Sequence, residues 1–340
     1  MQLNFDISFN IATQKRNNAE YDKELSDYRS RLTQYQSSLN TATSLTPDQI
    51  IQGLHISKDS NAEMTINTLQ PNNDQKGTWY GYSHNMNGDF MKVTYSNITN
   101  SFYTDMNGVQ HPIKKVEITY SNLISGNRRN NMDIWFRPVD GTSWGAVDSF
   151  YIKSVDAKYD FYDENNQKID FAPGSAWLFM SSLTRWANNN DGTLQVDPSQ
   201  DHVEAVQALS GSKLYNIPGG KAKVHADGNA YADPTDAIQH REPYHPTGDG
   251  DNIYDHDGGA VLASVSNGMV LQWNIEQNYD PNSGKDKSDT PSLTFTHEDA
   301  KDGGWYYFTI KNDTLSKFSV NPPVRKTTST HYHYDVILIR

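Results

Sequence analysis

The sequence predicts a mainly β protein: a sandwich of antiparallel sheets with one or two inserted helices, preceded by an α-helical stalk. Three observations carry that prediction. Tyr21, Leu25, Tyr28, Leu32, Tyr35 and Leu39 recur at spacings of 4, 3, 4, 3 and 4, with polar or charged residues at nearly every position between them. This is the a/d seam of a coiled coil. After Pro47 the seam never returns, and short alternating runs bounded by Gly, Asn and Asp turns take its place. Finally, 20 Tyr, 12 Phe and 7 Trp offset a hydrophobic share of only 35 %. Each buried aromatic removes about 150–250 Å² from water, so the core is expected to be aromatic rather than aliphatic.

Taken in order, residues 1–13 alternate at Leu3, Phe5, Ile7, Phe9 and Ile11. The alternation reads as a strand or as the remnant of a tag, with the two left open. Residues 15–44 are the stalk helix. Three heptads without a partner are marginal in water, so this helix is expected to pair with another, from the parent protein or a second copy. Beyond it, Val116, Ile118 and Tyr120 alternate with Lys115, Glu117 and Thr119, and Ala157, Tyr159 and Phe161 with Lys158, Asp160 and Tyr162. Met269, Leu271, Trp273 and Ile275 repeat the pattern. Each run reads as a half-buried antiparallel strand with one wet face. Trp305–Ile310 is more continuously apolar and is expected to lie centrally in a sheet.

One helix is expected among the strands. Asp197 stands as its N-cap with Pro198 at N1 and Gln200 at N3, while Val203, Val206 and Leu209 share a face and Gly211 closes it. Residues 228–259 and 279–291 read as polar loops, the first too long for a mere connection. The expected domains are a stalk end at 1–44, a head at 45–322, and a linker with the start of a further region at 323–340. His331 and His333 open a strand there and are expected to pack or pair structurally. Met1 directly ahead of the stalk, and the apolar ending at 336–340, read as a piece cut from something longer.

Composition narrows the function. The absence of cysteine excludes disulfide staples, Cys-ligated zinc and thiol nucleophiles. No apolar run is long enough to span a membrane, and neither signal peptide nor anchor is visible. A formal charge of -12 opposes non-specific binding to nucleic acid. The tight basic pairs Lys114–Lys115 and Arg128–Arg129 are the places in the head where a polyanion could be held, although two solvated loop or edge-strand pairs explain them better.

Several segments, in this order, resemble the variable-region heads of the antigen I/II adhesins and of glucan-binding protein C, wall-anchored proteins of Gram-positive bacteria. They include NAEMTIN (61–67), KVTYSNI (92–98), KKVEITYSNL (114–123), YDFYDENNQKID (159–170), SSLTRW (181–186), LYNIPGGKAKVHADGNAYAD (214–233) and GGWYYFTIKND (303–313). THYHYD (330–335) resembles the junction to their C-terminal domains, and the Tyr/Leu heptads the end of their helical stalk. The resemblance implies a lectin-like β-sandwich elaborated into a supersandwich, with a cleft for an adhesive ligand. It also implies a cell-surface, wall-anchored setting, a role in attachment or biofilm formation, and a stalk that pairs with a C-terminal proline-rich helix. The chain departs from the streptococcal-type pattern at 240–259 and around Trp144, so the ligand does not carry over. Enterococcal-type aggregation proteins have a similar head and are thought to engage polyanions.

Sugar binding needs flat aromatic faces and Asn, Asp or Gln to grip hydroxyls. Trp79, Trp144, Trp177, Trp186 and Tyr254 lie beside Gly, Asn or Asp, whereas Trp135, Trp273 and Trp305 sit in strand patterns and read as core. Trp186 leads the candidates because it opens onto Asn188, Asn189 and Asp191; Tyr254 and Trp144 come next. Asp249, Asp251, Asp255 and Asp257 form an oxygen-rich loop suited to calcium, although the spacing is not an EF-hand. His240, His245 and His256 match no zinc pattern. Nucleophile, metalloprotease and phosphate-loop motifs are all missing. The expected protein is therefore a binding module, not an enzyme, recognising a glucan or a host glycoprotein glycan. Extracellular DNA or teichoic acid is the alternative ligand, and glycan cleavage is a third and lesser reading.

Overall fold

A computed structural model describes residues 2–45, 49–56, 59, 61–125, 133–138, 147–150, 152–181, 183, 185–186, 202–220, 222–232, 260–276, 306–311 and 322–328. The chain falls into two compact units, one holding the N-terminal helix and the C-terminal tail, the other residues 42–319.

The first unit is built on α1, Gln2–Thr41. The strand reading of residues 1–13 is corrected, since from Gln2 onward they form its opening turns. Phe9 and Ile11 of the alternating run are exposed. The predicted seam holds: Tyr28 and Leu39 are buried and Tyr21, Leu25, Leu32 and Tyr35 partly so, while the residues between them are almost all exposed. The tail runs back along this helix. Gln14 donates through Nε2 to the Lys326 carbonyl at 3.1 Å and accepts from the Thr328 amide at 2.7 Å, and the Arg325 guanidinium lies 4.8 Å above the Tyr21 ring.

The second unit is all strand among the described residues. In chain order these are β1 Leu54–His55, β2 Glu63–Thr68, β3 Asp74–Lys76, β4 Trp79–Tyr82, β5 Met86–Ser96, β6 Phe102–Thr104 and β7 Gln110–Pro112. Then come β8 Lys115–Ser125, β9 Ile134–Pro138, β10 Val147–Phe150, β11 Ile152–Tyr162, β12 Ala176–Ser181 and β13 Arg185–Trp186. The last are β14 His202–Tyr215, β15 Ala222–Val224, β16 Asn229–Ala232, β17 Val261–Glu276 and β18 Tyr306–Lys311. One antiparallel ladder runs β2-β5-β8-β11-β17-β12-β18-β10-β9-β4-β3, and β1, β6 and β7 form a separate small sheet. β18 lies between β12 and β10, the central place its apolar run predicted.

The ladder folds back on itself. Phe90 of β5 meets Tyr82 of β4 and Phe136 of β9 edge-on at 5.3 and 5.4 Å, and Tyr120 of β8 meets Phe136 at 5.0 Å. Strands far apart in the ladder thus face each other across one core, which makes a sandwich. Alternation decides what enters it: Val116, Ile118 and Tyr120, and Ala157, Tyr159 and Phe161, are all buried. Burying each of the larger side chains here contributes about 1.5–3 kcal/mol. The Tyr120 and Tyr82 hydroxyls have no hydrogen-bond partner among the described residues, and burial pushes both phenols up. Tyr120→Phe removes an uncompensated polar atom and should raise stability by about 1 kcal/mol in urea titrations; a loss of stability would mean the hydroxyl is satisfied.

The helix expected at 197–211 is overturned over its described part, because His202–Tyr215 is the fourteen-residue strand β14. Pairing with β17 supplies what local propensity cannot, from Val203↔Glu276 to Tyr215↔Leu262. Gly211, read as a helix stop, has φ 70° between Ser210 and Ser212, where the register shifts. Here the glycine serves a β-bulge, which needs the same left-handed conformation as a C-cap.

Candidate functional site

A cavity of about 520 Å³ opens where three segments meet: the β6–β7 turn, the stretch from Asp163 to Pro173, and Ser266–Asn267 of β17. Its floor is aromatic. Tyr103 of β6 packs edge-on against Phe171 at 4.8 Å, and Phe171 against Phe161 at 5.5 Å. The Tyr103 hydroxyl lies 2.8 Å from Ser175 Oγ and accepts the Ala172 amide at 3.2 Å, which fixes the far wall to the floor. His111 of β7 stacks over Tyr103 at 6.2 Å, its side chain 40 % accessible. Met106, Ala172 and Pro173 add apolar surface that solvent reaches.

Two walls rest on the same local device. Asp105 Oδ1 accepts the amides of Asn107 and Val109 at 2.8 and 2.9 Å, and Asp163 Oδ1 those of Asn165 and Gln167 at 2.9 and 2.8 Å. Asx turns of this kind preset the backbone without a large core behind them. Asp105 Oδ2 faces His111 Nε2 at 3.3 Å. Burial acts to raise the Asp105 pKa, but the Val109 and Asn107 amides and the His111 ring outweigh it and hold the carboxyl below its usual range. Asp170 and Asn267 are exposed on the rim and make no hydrogen bond or ion pair among the described residues. An apolar floor beneath convergent polar groups is the usual form of a small-ligand site.

The candidates read from sequence fall mostly elsewhere. Trp186 lies on the short strand β13, paired with His202 of β14. Asn188, Asn189, Asp191, Trp144 and Tyr254 lie outside the described residues, as do Arg128, Arg129, Asp249, Asp251, Asp255, Asp257 and the five histidines at 240, 245, 256, 331 and 333. Trp177 is fully buried and donates Nε1–H to the Gly174 carbonyl at 2.9 Å, so it is core and not a sugar platform. Trp135, read as core, sits on the outward face of β9 under Lys76, 4.6 Å from the ring; Trp79 lies under Arg137 in the same way. Lys114 donates to the Ile98 carbonyl at 3.2 Å. Lys115 pairs with Glu117 at 3.1 Å and lies over the Tyr162 ring. Among the described residues no three His, Asp or Glu side chains converge as a metal site, and no helix is long and apolar enough to cross a membrane.

Sequence reasoning missed Tyr103, His111 and Phe171. The signal available was the repeated Asp-x-Asn turn at Asp105–Asn107 and Asp163–Asn165, each following a short aromatic-rich run.

Comparison with known proteins gives the family. The glucan-binding protein C of Streptococcus mutans aligns over 97 % of this chain and 100 % of its own, at 18 % identity and a TM-score of 0.48. The adhesin domain of PrgB from Enterococcus faecalis aligns over 79 % and 92 %, at 14 % identity and a TM-score of 0.47. The same domain bound to DNA aligns over 69 % and 71 %, at 17 % identity and a TM-score of 0.42. The family described as glucan-binding protein C matches residues 6–307, nearly the whole chain; the protein is a member of that family.

Proposed function

We propose that this chain is the ligand-binding part of a bacterial surface adhesin and that it recognises carbohydrate. The observation that carries the reading is the cavity between the β6–β7 turn and Asp163–Pro173, found in a member of a family named for glucan binding. Its apolar floor suits the hydrophobic face of a pyranose, and its rim carboxylate and amide suit the hydroxyls. Trp186, Tyr254 and Trp144, with Asn188, Asn189 and Asp191, remain proposed as a further aromatic contact area for the same ligand. Calcium at the 249–257 acidic loop belongs to the same proposal. Anchoring to the cell wall and pairing of the stalk helix with another helix complete it.

Polyanion binding is the second reading, favoured by the DNA seen with the PrgB adhesin domain. Against it stand the formal charge of -12 and the local engagement of Lys114 and Lys115.

The test is binding of the whole chain to an α-glucan, a mucin-type glycoprotein and duplex DNA at low and high salt. Salt-insensitive glycan binding is expected, and Trp186→Ala should weaken it by about 1–3 kcal/mol if the indole stacks on sugar as aromatics do on bases. Binding to DNA alone, lost as salt rises, would replace this reading with the polyanion one.

A further inference from the structure

We infer that the cavity selects its ligand by charge: it takes uncharged pyranosides and excludes acidic ones, with Asp170 as the residue that sets the preference. The inference rests on the carbohydrate reading above and adds a class of sugar to it. Among the described residues three carboxylates line the cavity, those of Asp105, Asp163 and Asp170, and no lysine or arginine does. The cation closest in sequence, Lys168, is committed to Asp160 at 2.6 Å. Among the described residues His111 is the one lining residue able to carry positive charge, and it faces Asp105.

The three acids differ in role. Asp105 and Asp163 each spend an oxygen on two backbone amides, so they hold the walls and cannot turn away from the cavity. Asp170 has no such duty among the described residues, and its exposed carboxylate is left to accept from a sugar hydroxyl. Asn267 across the rim supplies both a donor and an acceptor. A neutral polyol satisfies this set, whereas a uronic or sialic acid brings a fourth negative charge into a space already holding three. In water such repulsion acts within about 10 Å at 0.1 M salt and fades at higher ionic strength.

The experiment compares a neutral dextran oligosaccharide with its carboxymethylated form, by calorimetry on the whole chain. At about 20 mM salt, where screening is weak, the neutral form is expected to bind about tenfold tighter, and about 0.5 M salt should narrow the gap. Asp170→Lys should narrow it already at low salt. Asn267→Trp, which fills the mouth from an exposed position, should abolish binding of the neutral form without moving the urea midpoint. Equal affinities for the two forms in the wild type, or a gap indifferent to Asp170→Lys, would overturn selection by charge while leaving carbohydrate recognition standing. Undiminished binding by a folded Asn267→Trp would overturn the location. Failure of both sugars to bind the wild type would overturn the carbohydrate reading itself, and the inference with it.

Discussion

Gly53→Ala is expected to destabilise the second unit by about 4 kcal/mol, at the upper end of single-substitution effects. A Cβ at Gly53 would stand 2.3 Å from the Thr104 carbonyl oxygen, 3.0 Å from that of Ser175 and 3.1 Å from the Tyr103 ring. Two of these neighbours are backbone and cannot swing aside. They are also held in place by the glycine itself: its amide donates to Ser175 O at 2.7 Å, and its carbonyl accepts from the Thr104 amide at 2.9 Å. Relief of the clash therefore costs both bonds and displaces Tyr103, the floor of the cavity. Urea unfolding gives the energy, and glycan affinity of the residual folded protein gives the effect on the site. A midpoint within experimental error of wild type would show that this contact is not as close as the structure places it.

Asp59→Ala should cost about 3 kcal/mol at neutral pH, the scale of a buried carboxylate that loses several charge-assisted hydrogen bonds. Asp59 precedes β2 and is 4 % accessible. Its Oδ1 accepts the Asn61 amide at 2.9 Å; its Oδ2 accepts the Thr99 amide, the Thr99 hydroxyl at 2.9 Å and the Asn100 amide at 3.0 Å. One side chain thus ties the entry to β2 onto the turn between β5 and β6. Burial works to raise its pKa, but the Thr99, Asn61 and Asn100 donors prevail and bring it from 3.8 down to about 2. The folded value lies below the unfolded one, so the contribution is full above pH 4 and is lost as the pH falls towards 2. The stability difference between wild type and Asp59→Ala should accordingly shrink across that window. A difference that stays constant from pH 6 to pH 2 would mean the carboxylate is not what the loop depends on.

These two residues also show what could be read from the chain. Where a strand has one wet face the pattern is local, and Val116, Ile118 and Tyr120 announced β8 without help from any other segment. β14 was misread because its cues are shared: an Asp-Pro start and a closing Gly serve a helix, while the same Gly serves a bulge. Only β17, far along the chain, decides between them. Gly53 and Asp59 gave no signal at all, since their importance lies in carbonyls and amides brought to them from residues 97–104 and 175. The cavity failed to show for the same reason, as it is assembled from three segments distant in sequence. Trp177 illustrates the converse error: neighbouring Gly and Ser suggested an exposed platform, but the Gly174 carbonyl receives its N–H and lets the whole indole sink.

The junction at Ser44 has a mechanical consequence. Ser44 pairs in parallel with Asn216, just beyond the end of β14; the Leu45 amide donates to Asn216 O at 3.0 Å and the Asn216 amide to Thr43 O at 2.9 Å. Lys213 adds a bond from Nζ to the Ala42 carbonyl at 3.3 Å. A load on the chain at Ala42 is therefore shared with β14, and through its register with β17, instead of falling on residues 42–45 alone. The chain is thus tied, where the second unit begins, to the longest paired ladder among its described strands.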